Sequence, residues 1–385
     1  MTLSRASIAI IGGGLSGLVA ALLLKQQGVR DVVLFEARST LGGRILSVDA
    51  SASLVDAAQA ALDRFDLGPT WFWPAMQPQL DRLVDELGLQ RFGQFEDGDM
   101  LVERSASDAP LRMPGYASEP SSMRLVGGTG ALIAALCSRL DPGSIRIGET
   151  VRQLHRVGTH VELQVEAAAG ALKIWRVDQV LLALPPRLAE RRIAFDPPLP
   201  SELARRWRGQ PTWMAPHAKY VAVFDTPFWR DQGLSGSARS QHGPMGEIHD
   251  VSMPGGHAAL FGFLGVPARV RRGVEGDVLR LHCRAQLGRL FGDAACRPVA
   301  DALKDWAADP LTATDDDQEA SGHHAEPPER SASDGPWQDR LIGVGSEWSP
   351  QFPGYLAGAV DAAARGVQQC LAAALIAALD SDAGR

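Results

Sequence analysis

The sequence predicts a mixed α/β fold, and three observations carry that prediction. The apolar run at Ile8, Ile10 and Ile11 leads into GGGLSG and then into the helical stretch LVAALLLKQQ. Two later runs, VVLFEA and QVLLALP, have the near-continuous apolar character of strands covered on both faces of a parallel sheet. Residues 190–340 differ in texture, mixing strand-like runs with long polar stretches. The expected architecture is a mixed α/β domain with parallel strands, interleaved with a second domain of mixed sheet plus helices.

The elements follow in order. Strand, glycine turn, helix ended by Gly28 and second strand make a βαβ unit that closes by about Ala37. Residues 75–90 carry helical spacing at Leu80, Leu83, Val84 and Leu87. Residues 91–122, rich in charge, Ser and Pro, read as irregular, and residues 128–140 as a helix after GGTG. Residues 145–184 alternate like a β-meander (IRIGETVRQLHRV, HVELQVEA, ALKIWRV) that ends in the parallel-type strand QVLLALP. Further on, KYVAVFD and AALFGFLG read as strands, and a helix is expected near 274–291. Residues 312–336 are polar and of low complexity, so they read as a loop. The strand RLIGVG and the long helix LAGAVDAAARGVQQCLAAALIAAL come last.

Composition narrows the function. The chain has 385 residues, 45% hydrophobic and 22% charged, which suits two globular domains. A net charge of −7 argues against a nucleic-acid partner, which needs a basic face. The four cysteines, Cys137, Cys283, Cys296 and Cys370, have no CxxC spacing and read as reduced, buried thiols. Such thiols fit a reducing compartment. The N-terminus runs straight into a strand with no separate signal region. The tail CLAAALIAAL is too short to span a bilayer, and Arg365, Gln368 and Gln369 precede it in the same helix. A cytoplasmic protein without a membrane partner is therefore expected. No His/Cys/Asp cluster has metal-ligand spacing, so no metal is expected.

Gly12, Gly14 and Gly17 form G-x-G-x-x-G directly between strand and helix. Glycines at this turn let the backbone approach a pyrophosphate, and the helix N-terminus supplies free N–H groups. Glu36 ends the next strand, 19 residues after Gly17, where a carboxylate accepts ribose hydroxyls. A carboxylate there repels a 2′-phosphate, which favours FAD or NAD over NADP. Leu41-Gly42-Gly43-Arg44 adds a second turn with a phosphate-directed Arg, which favours FAD.

With these motifs the sequence resembles the flavin-containing amine oxidase family, which includes the monoamine oxidases. Five stretches carry the resemblance, in matching order and approximate spacing. They are IIGGGLSGLVAALLLKQQG with VVLFEARSTLGGR; DLGPTWFWP (Asp66 to Pro74); RLVGGTGALIAAL (Arg124 to Leu136); QVLLALPPRL with IAFDPPLP; and GVGSEWSPQFPGYLAGAVDAA (Gly343 to Ala363). The resemblance implies a Rossmann-like two-dinucleotide-binding FAD domain from residues 1–70, 125–200 and 340–385. Residues 71–124 and 201–339 would form the substrate domain, in which the chain is short for the family.

The resemblance also implies roles. Gly12, Gly14 and Gly17, with Leu15 and Ser16 between them, and Glu36, Ala37 and Arg38 would hold the AMP half of FAD. Gly42, Gly43 and Arg44 would meet the pyrophosphate and ribityl region. Gly68, Pro69, Thr70 and Trp71 would pass beside the isoalloxazine, and Val151 would pair its backbone with adenine. Glu347 would sit at the ribityl–pyrophosphate region, and Leu356 would offer its N–H to the flavin O2 side. Lys219, in HAKYVAVFDTPFW, lines up with the family lysine that holds a water near flavin N5. Tyr355 and Trp306 would be two walls of an aromatic cage that steers the amine.

The activity implied is oxidation of a small amine. A hydride leaves the carbon next to nitrogen for flavin N5, and the imine is then hydrolysed. Oxygen or another acceptor would reoxidise the flavin. From residues alone, Lys219 is equally compatible with a solvent-facing place, and Trp306 with core packing. No cysteine lies between Cys296 and Cys370, so a thioether link there is absent and FAD is expected to be non-covalent. His323 and His324 read as solvated loop residues. Arg112 is the only arginine singled out for a substrate carboxylate, on the ground of its half of the chain alone. Three other readings share the cofactor motifs: a desaturase or protoporphyrinogen-type oxidase acting on C–C bonds, a dehydrogenase with another acceptor, and a flavoprotein that turns over no oxidation, such as an isomerase.

Overall fold

The computed structural model describes residues 3–53, 63–105, 107–168, 170–319 and 325–383, with side chains to residue 376. Two compact units divide the chain. One comprises Met1–Gly43, Ala135–Trp213 and Ser321–Arg385; the other comprises Arg44–Ala134 and Met214–Ala320. Residues 44–70 cluster with the second unit.

The first unit holds a five-stranded, all-parallel sheet in the order Ile145–Ile147, Val32–Glu36, Ile8–Ile11, Gln179–Leu182 and Leu341–Gly343. The central strand Ile8–Ile11 is buried at every position, as its apolar run requires. The helix Leu15–Gln26 follows it, and the helix Leu356–Ala383 closes the chain. The meander Glu149–Val157, His160–Ala167 and Leu172–Val177 belongs to a second five-stranded sheet with Leu3–Arg5 and Ala194–Asp196. A continuous apolar core runs from Ala9 and Phe35 through Leu154 and Val180 to Trp207, Trp337 and Trp348.

The second unit is built on a seven-stranded sheet. Its order is Ala300–Asp305, Ala218–Phe224, Ala258–Leu264, Met245–Asp250, Leu234–Ser240, Asp99–Glu103 and Leu111–Pro114. Neighbours are antiparallel except for the parallel pair Leu234–Ser240 and Asp99–Glu103. The helix Gly276–Phe291 packs on one side through Leu279, Cys283 and Leu287. On the other side Phe65, Leu67 and Trp71 pack against Val221, Val223 and Phe261. Short ladders join Ser47–Asp49 to Arg64–Asp66 and Arg91–Gly93 to Met123–Leu125.

Two expectations are corrected. Residues 91–122 are not irregular throughout: Arg91–Gly93, Asp99–Glu103 and Leu111–Pro114 are strands. Arg91–Gly93 is short, Leu111–Pro114 lies at the sheet edge and is exposed at all four positions, and Asp99–Glu103, one strand further in, is only partly buried, so no clear apolar alternation marks them. The described residues of 312–336 form the expected loop, with one short turn at Asp315–Asp317, and Thr312, Ala313, Asp317 and Ala332 within it are buried. Among the cysteines, Cys283 and Cys370 are buried, Cys137 is half-buried and Cys296, on the short turn Asp293–Cys296, is exposed. All four are free thiols.

Candidate active site

In the first unit the glycine turn does its work with backbone. Gly14 is the N-cap of Leu15–Gln26 and brings no side-chain cap, so the first helical N–H groups face outward without one. A Cβ on Gly17 would lie 2.0 Å from the Gly12 carbonyl oxygen, so only glycine lets helix and strand pack this closely. Gly14 and Gly42 form a parallel bridge, and the Gly42 N–H donates to the Gly13 carbonyl at 2.9 Å. The two glycine segments thus form one cradle. Ser16 is turned away from it, its hydroxyl donating to the Val344 carbonyl.

Glu36 is buried beside this turn. One carboxylate oxygen accepts the Gly13 N–H at 2.7 Å, and the other accepts the Arg38 N–H at 2.8 Å. Burial raises the carboxyl above its ordinary range, and these backbone donors work against the rise. Each oxygen keeps further acceptor capacity, which is what a ribose with two adjacent hydroxyls needs. Uncapped helix donors and a buried, oriented carboxylate fit the pyrophosphate and ribose of a dinucleotide.

Other predicted residues of this unit fall as follows. Glu347 is buried on the short turn Ser346–Trp348, with the Ser346 hydroxyl donating to it at 3.0 Å. Leu356 opens the last helix. Val151 pairs with Val165, and the register slips between Val151 and Gln153, a bulge that frees the ladder locally. Tyr355 is partly exposed, and its ring lies 6.4 Å from Trp213 at an interplanar angle of 32°. Gly354 has φ +84, and a Cβ there would lie 2.4 Å from the Cβ of Trp213, so glycine lets the two aromatics approach. Trp213 was not singled out in the sequence.

In the second unit Lys219 is 2% exposed, so the solvent-facing alternative is excluded. Its amine donates to the Gly68 carbonyl at 3.1 Å and to the Thr70 hydroxyl. It also lies 3.9 Å from the ring centroid of Phe261 and 5.7 Å from that of Phe263. Burial drives its pKa down to about 7; Asp66 pulls the other way, and Arg124 adds to the fall. Gly68 and Thr70, of the segment Gly68 to Trp71, are therefore tied to one amine. The Trp71 indole N–H donates to Gln94 at 2.7 Å, and its ring meets His249 and Phe261 edge-on or tilted. Trp306 is buried in the same unit, its indole N–H donating to the Leu67 carbonyl at 3.0 Å.

Asp66, Thr129 and Arg124 complete this cluster, and sequence reading passed over their chemistry although all three sit in quoted motifs. Arg124 is buried, donates to the Val251 and Ser252 carbonyls, and is pushed by burial to about 10. Arg112 lies instead on the edge strand, paired with Asp99 and exposed. His323 and His324 lie outside the described residues. Among the described residues no group of three His, Cys, Asp or Glu is placed to hold a metal, and no helix is long and apolar enough to cross a membrane.

Comparison with known proteins agrees with this geometry. Residues 102–371 match the model of flavin containing amine oxidoreductases, and residues 10–87 match that of NAD(P)-binding Rossmann-like domains. Putrescine oxidase of Kocuria rosea is 26% identical over 59% of this chain and 51% of its own length, so the match spans about half of that relative. A putrescine oxidase solved with putrescine superimposes with a TM-score of 0.75 at 19% identity, covering 96% of this chain and 100% of the other. Cyclohexylamine oxidase from Brevibacterium oxydans gives 0.76 at 18%, covering 95% and 98%. These two structures establish the likeness of fold.

Proposed function

We propose an amine-oxidising function for this chain, which belongs to the flavin-containing amine oxidoreductase family. The observation that carries the reading is Lys219: a buried amine on a sheet face, tied to Gly68 and Thr70 and set against Phe261. A buried lysine is costly unless the site uses it, and here burial leaves it poised near neutral pH. FAD, when bound, supplies acceptance of the hydride from the carbon next to nitrogen. Gly12, Gly14, Gly17 and the first N–H groups of Leu15–Gln26 would hold its pyrophosphate. Glu36 would orient the adenosine ribose, and Arg38, Gly43, Arg44 and Glu347 would bind further along it. Lys219 would hold a water molecule through its amine, with Gly68 and Thr70 fixing the direction of its N–H bonds. Tyr355, with Trp213 beside it, offers an electron-rich aromatic surface to an amine. Trp306 would line the substrate side of the second unit. The substrate class is a small amine; water hydrolyses the imine product, and oxygen accepts the electrons. No thioether tether to FAD is invoked.

The test is the absorption spectrum of the purified protein, followed by anaerobic mixing with primary, secondary and polyamines. A flavin spectrum bleached by one class of amine supports the reading and names the class. A flavin that no amine bleaches overturns it and directs the search to C–C desaturation.

A further inference from the structure

Lys219 owes its place to a five-residue segment, and every residue of that segment has a distinct attachment. Asp66 Oδ1 accepts from the Ser47 hydroxyl at 2.9 Å, the Thr129 N–H at 3.0 Å and the Thr129 hydroxyl at 2.8 Å. Leu67 donates its N–H to Leu46 and accepts the Trp306 indole N–H. The Pro69 carbonyl lies 3.0 Å from the Thr129 hydroxyl. Gly68 and Thr70 are left to face Lys219.

We propose that Asp66 is a positioning residue for Lys219, anchoring the Gly68–Thr70 segment through Thr129 and supplying the buried counter-charge to the lysine amine. The inference rests on the role given to Lys219 above. The three donors on Asp66 explain why an oxygen acceptor is needed there, but a neutral amide oxygen meets that need equally well. Beyond that, a carboxylate adds a negative charge and a second acceptor oxygen where an amide has NH2. Asp66 is 5% exposed, and burying an uncompensated charge is expensive, so the charge has an electrostatic partner. Burial raises the Asp66 carboxyl above its ordinary range, and the two buried cations Lys219 and Arg124, with the Thr129 and Ser47 donors, work against that rise. Arg124 is already held by two carbonyls.

The other charged groups near Lys219 are engaged elsewhere. Lys304 stands opposite it on the neighbouring strand and donates to Asp309 at 2.6 Å. Glu247, across Phe263, is taken by Arg239 and His249. The adjoining strand Ala258–Leu264 contributes only the uncharged rings of Phe261 and Phe263. Among the described residues, Asp66 is the anion that favours the charged amine of Lys219, and Arg124 is the cation that opposes it.

The test reads the lysine directly. The chain has four lysines, Lys25, Lys173, Lys219 and Lys304, so 13Cε-lysine labelling of the holoenzyme gives a spectrum in which Lys219→Met identifies one resonance. Asp66→Asn keeps the acceptor and removes the charge. The expected result is a fall of about one unit in the Lys219 titration midpoint, with the same displacement in the pH profile of anaerobic flavin reduction. Thr129→Val, which removes one donor to Asp66 without touching Lys219, is expected to move the midpoint the same way by less, and it serves if Asp66→Asn does not fold. A midpoint unmoved in either folded variant overturns the proposal. If Lys219→Met leaves flavin reduction and reoxidation unchanged, the catalytic role of Lys219 fails instead, and the midpoint comparison still decides the part played by Asp66.

Discussion

The glycine turn of the first unit and the Lys219 face of the second solve opposite problems with opposite materials. The turn is made of backbone, from residues close together in sequence. Its donors are helix N–H groups, and its one carboxylate, Glu36, is held by two more N–H groups. The Lys219 face is made of side chains brought from residues 47, 66–70, 124–129, 219 and 261–263. Its charges are buried and adjust one another. The difference teaches that binding and chemistry are separable here. A backbone cradle is indifferent to most side-chain changes, whereas the lysine cluster is sensitive to each member.

The largest effect that separates the regions is expected at Lys219. Lys219→Met should slow flavin reduction or reoxidation by roughly 10²–10⁴-fold, the range for loss of a positioned proton-handling group, while FAD stays bound. Stopped-flow kinetics with the flavin spectrum of the variant checks both halves. Loss of flavin along with rate would show the two regions to be one.

The converse variant is Glu36→Ala. Hydrogen bonds to a charged group contribute about 1.5–3 kcal/mol, so FAD affinity should fall by roughly 10–100-fold. The fraction of enzyme that still carries FAD should react at an unchanged rate. Full flavin retention after extensive dialysis would remove the ribose from Glu36.

A smaller effect is expected at the aromatic pair. Tyr355→Ala or Trp213→Ala should raise KM for an amine by roughly 2–30-fold, the worth of about 0.5–2 kcal/mol of cation–π contact, with FAD affinity unchanged. Equal KM values in both variants would take the pair out of substrate binding.

The last effect is on stability rather than on rate or affinity. The Lys219 amine sits at about 7 in the fold against 10.5 as a free side chain. Below pH 7 it is charged in both states, and the fold bears the cost of burying it. Between 7 and 10.5 only the unfolded chain keeps the proton, so this contribution to stability rises with pH across that window. Melting temperatures should then show Lys219→Met gaining on the parent chain most below pH 7 and least near 10.5. A difference independent of pH would mean that the amine is not shifted.

How much was legible follows from the same contrast. Gly12, Gly14, Gly17 and Glu36 were readable because a strand, a turn, a helix and an acid in fixed succession specify their own geometry. The parallel strands around them were readable because both faces are covered, which leaves unbroken apolar runs. That same coverage hid the direction of Lys219. Its strand is buried at all seven positions, so no alternation says which way a side chain points. The strands within 91–122 were missed because their pairing depends on partners distant in sequence, as Asp99–Glu103 depends on Leu234–Ser240. Cys296 was misread as buried because a short surface turn has no period to reveal it.

The sequence by itself thus determined the dinucleotide cradle, the family and the presence of a second, interleaved unit. These depend on local backbone geometry and on motifs in a fixed order. Only the tertiary structure decided that Lys219 is buried, that Asp66 and Thr129 brace the segment it binds, and that Trp213 stands beside Tyr355. Those facts depend on which distant residues share a low-dielectric space. Electrostatic coupling there is set by distance and burial, and neither is written in the order of the residues.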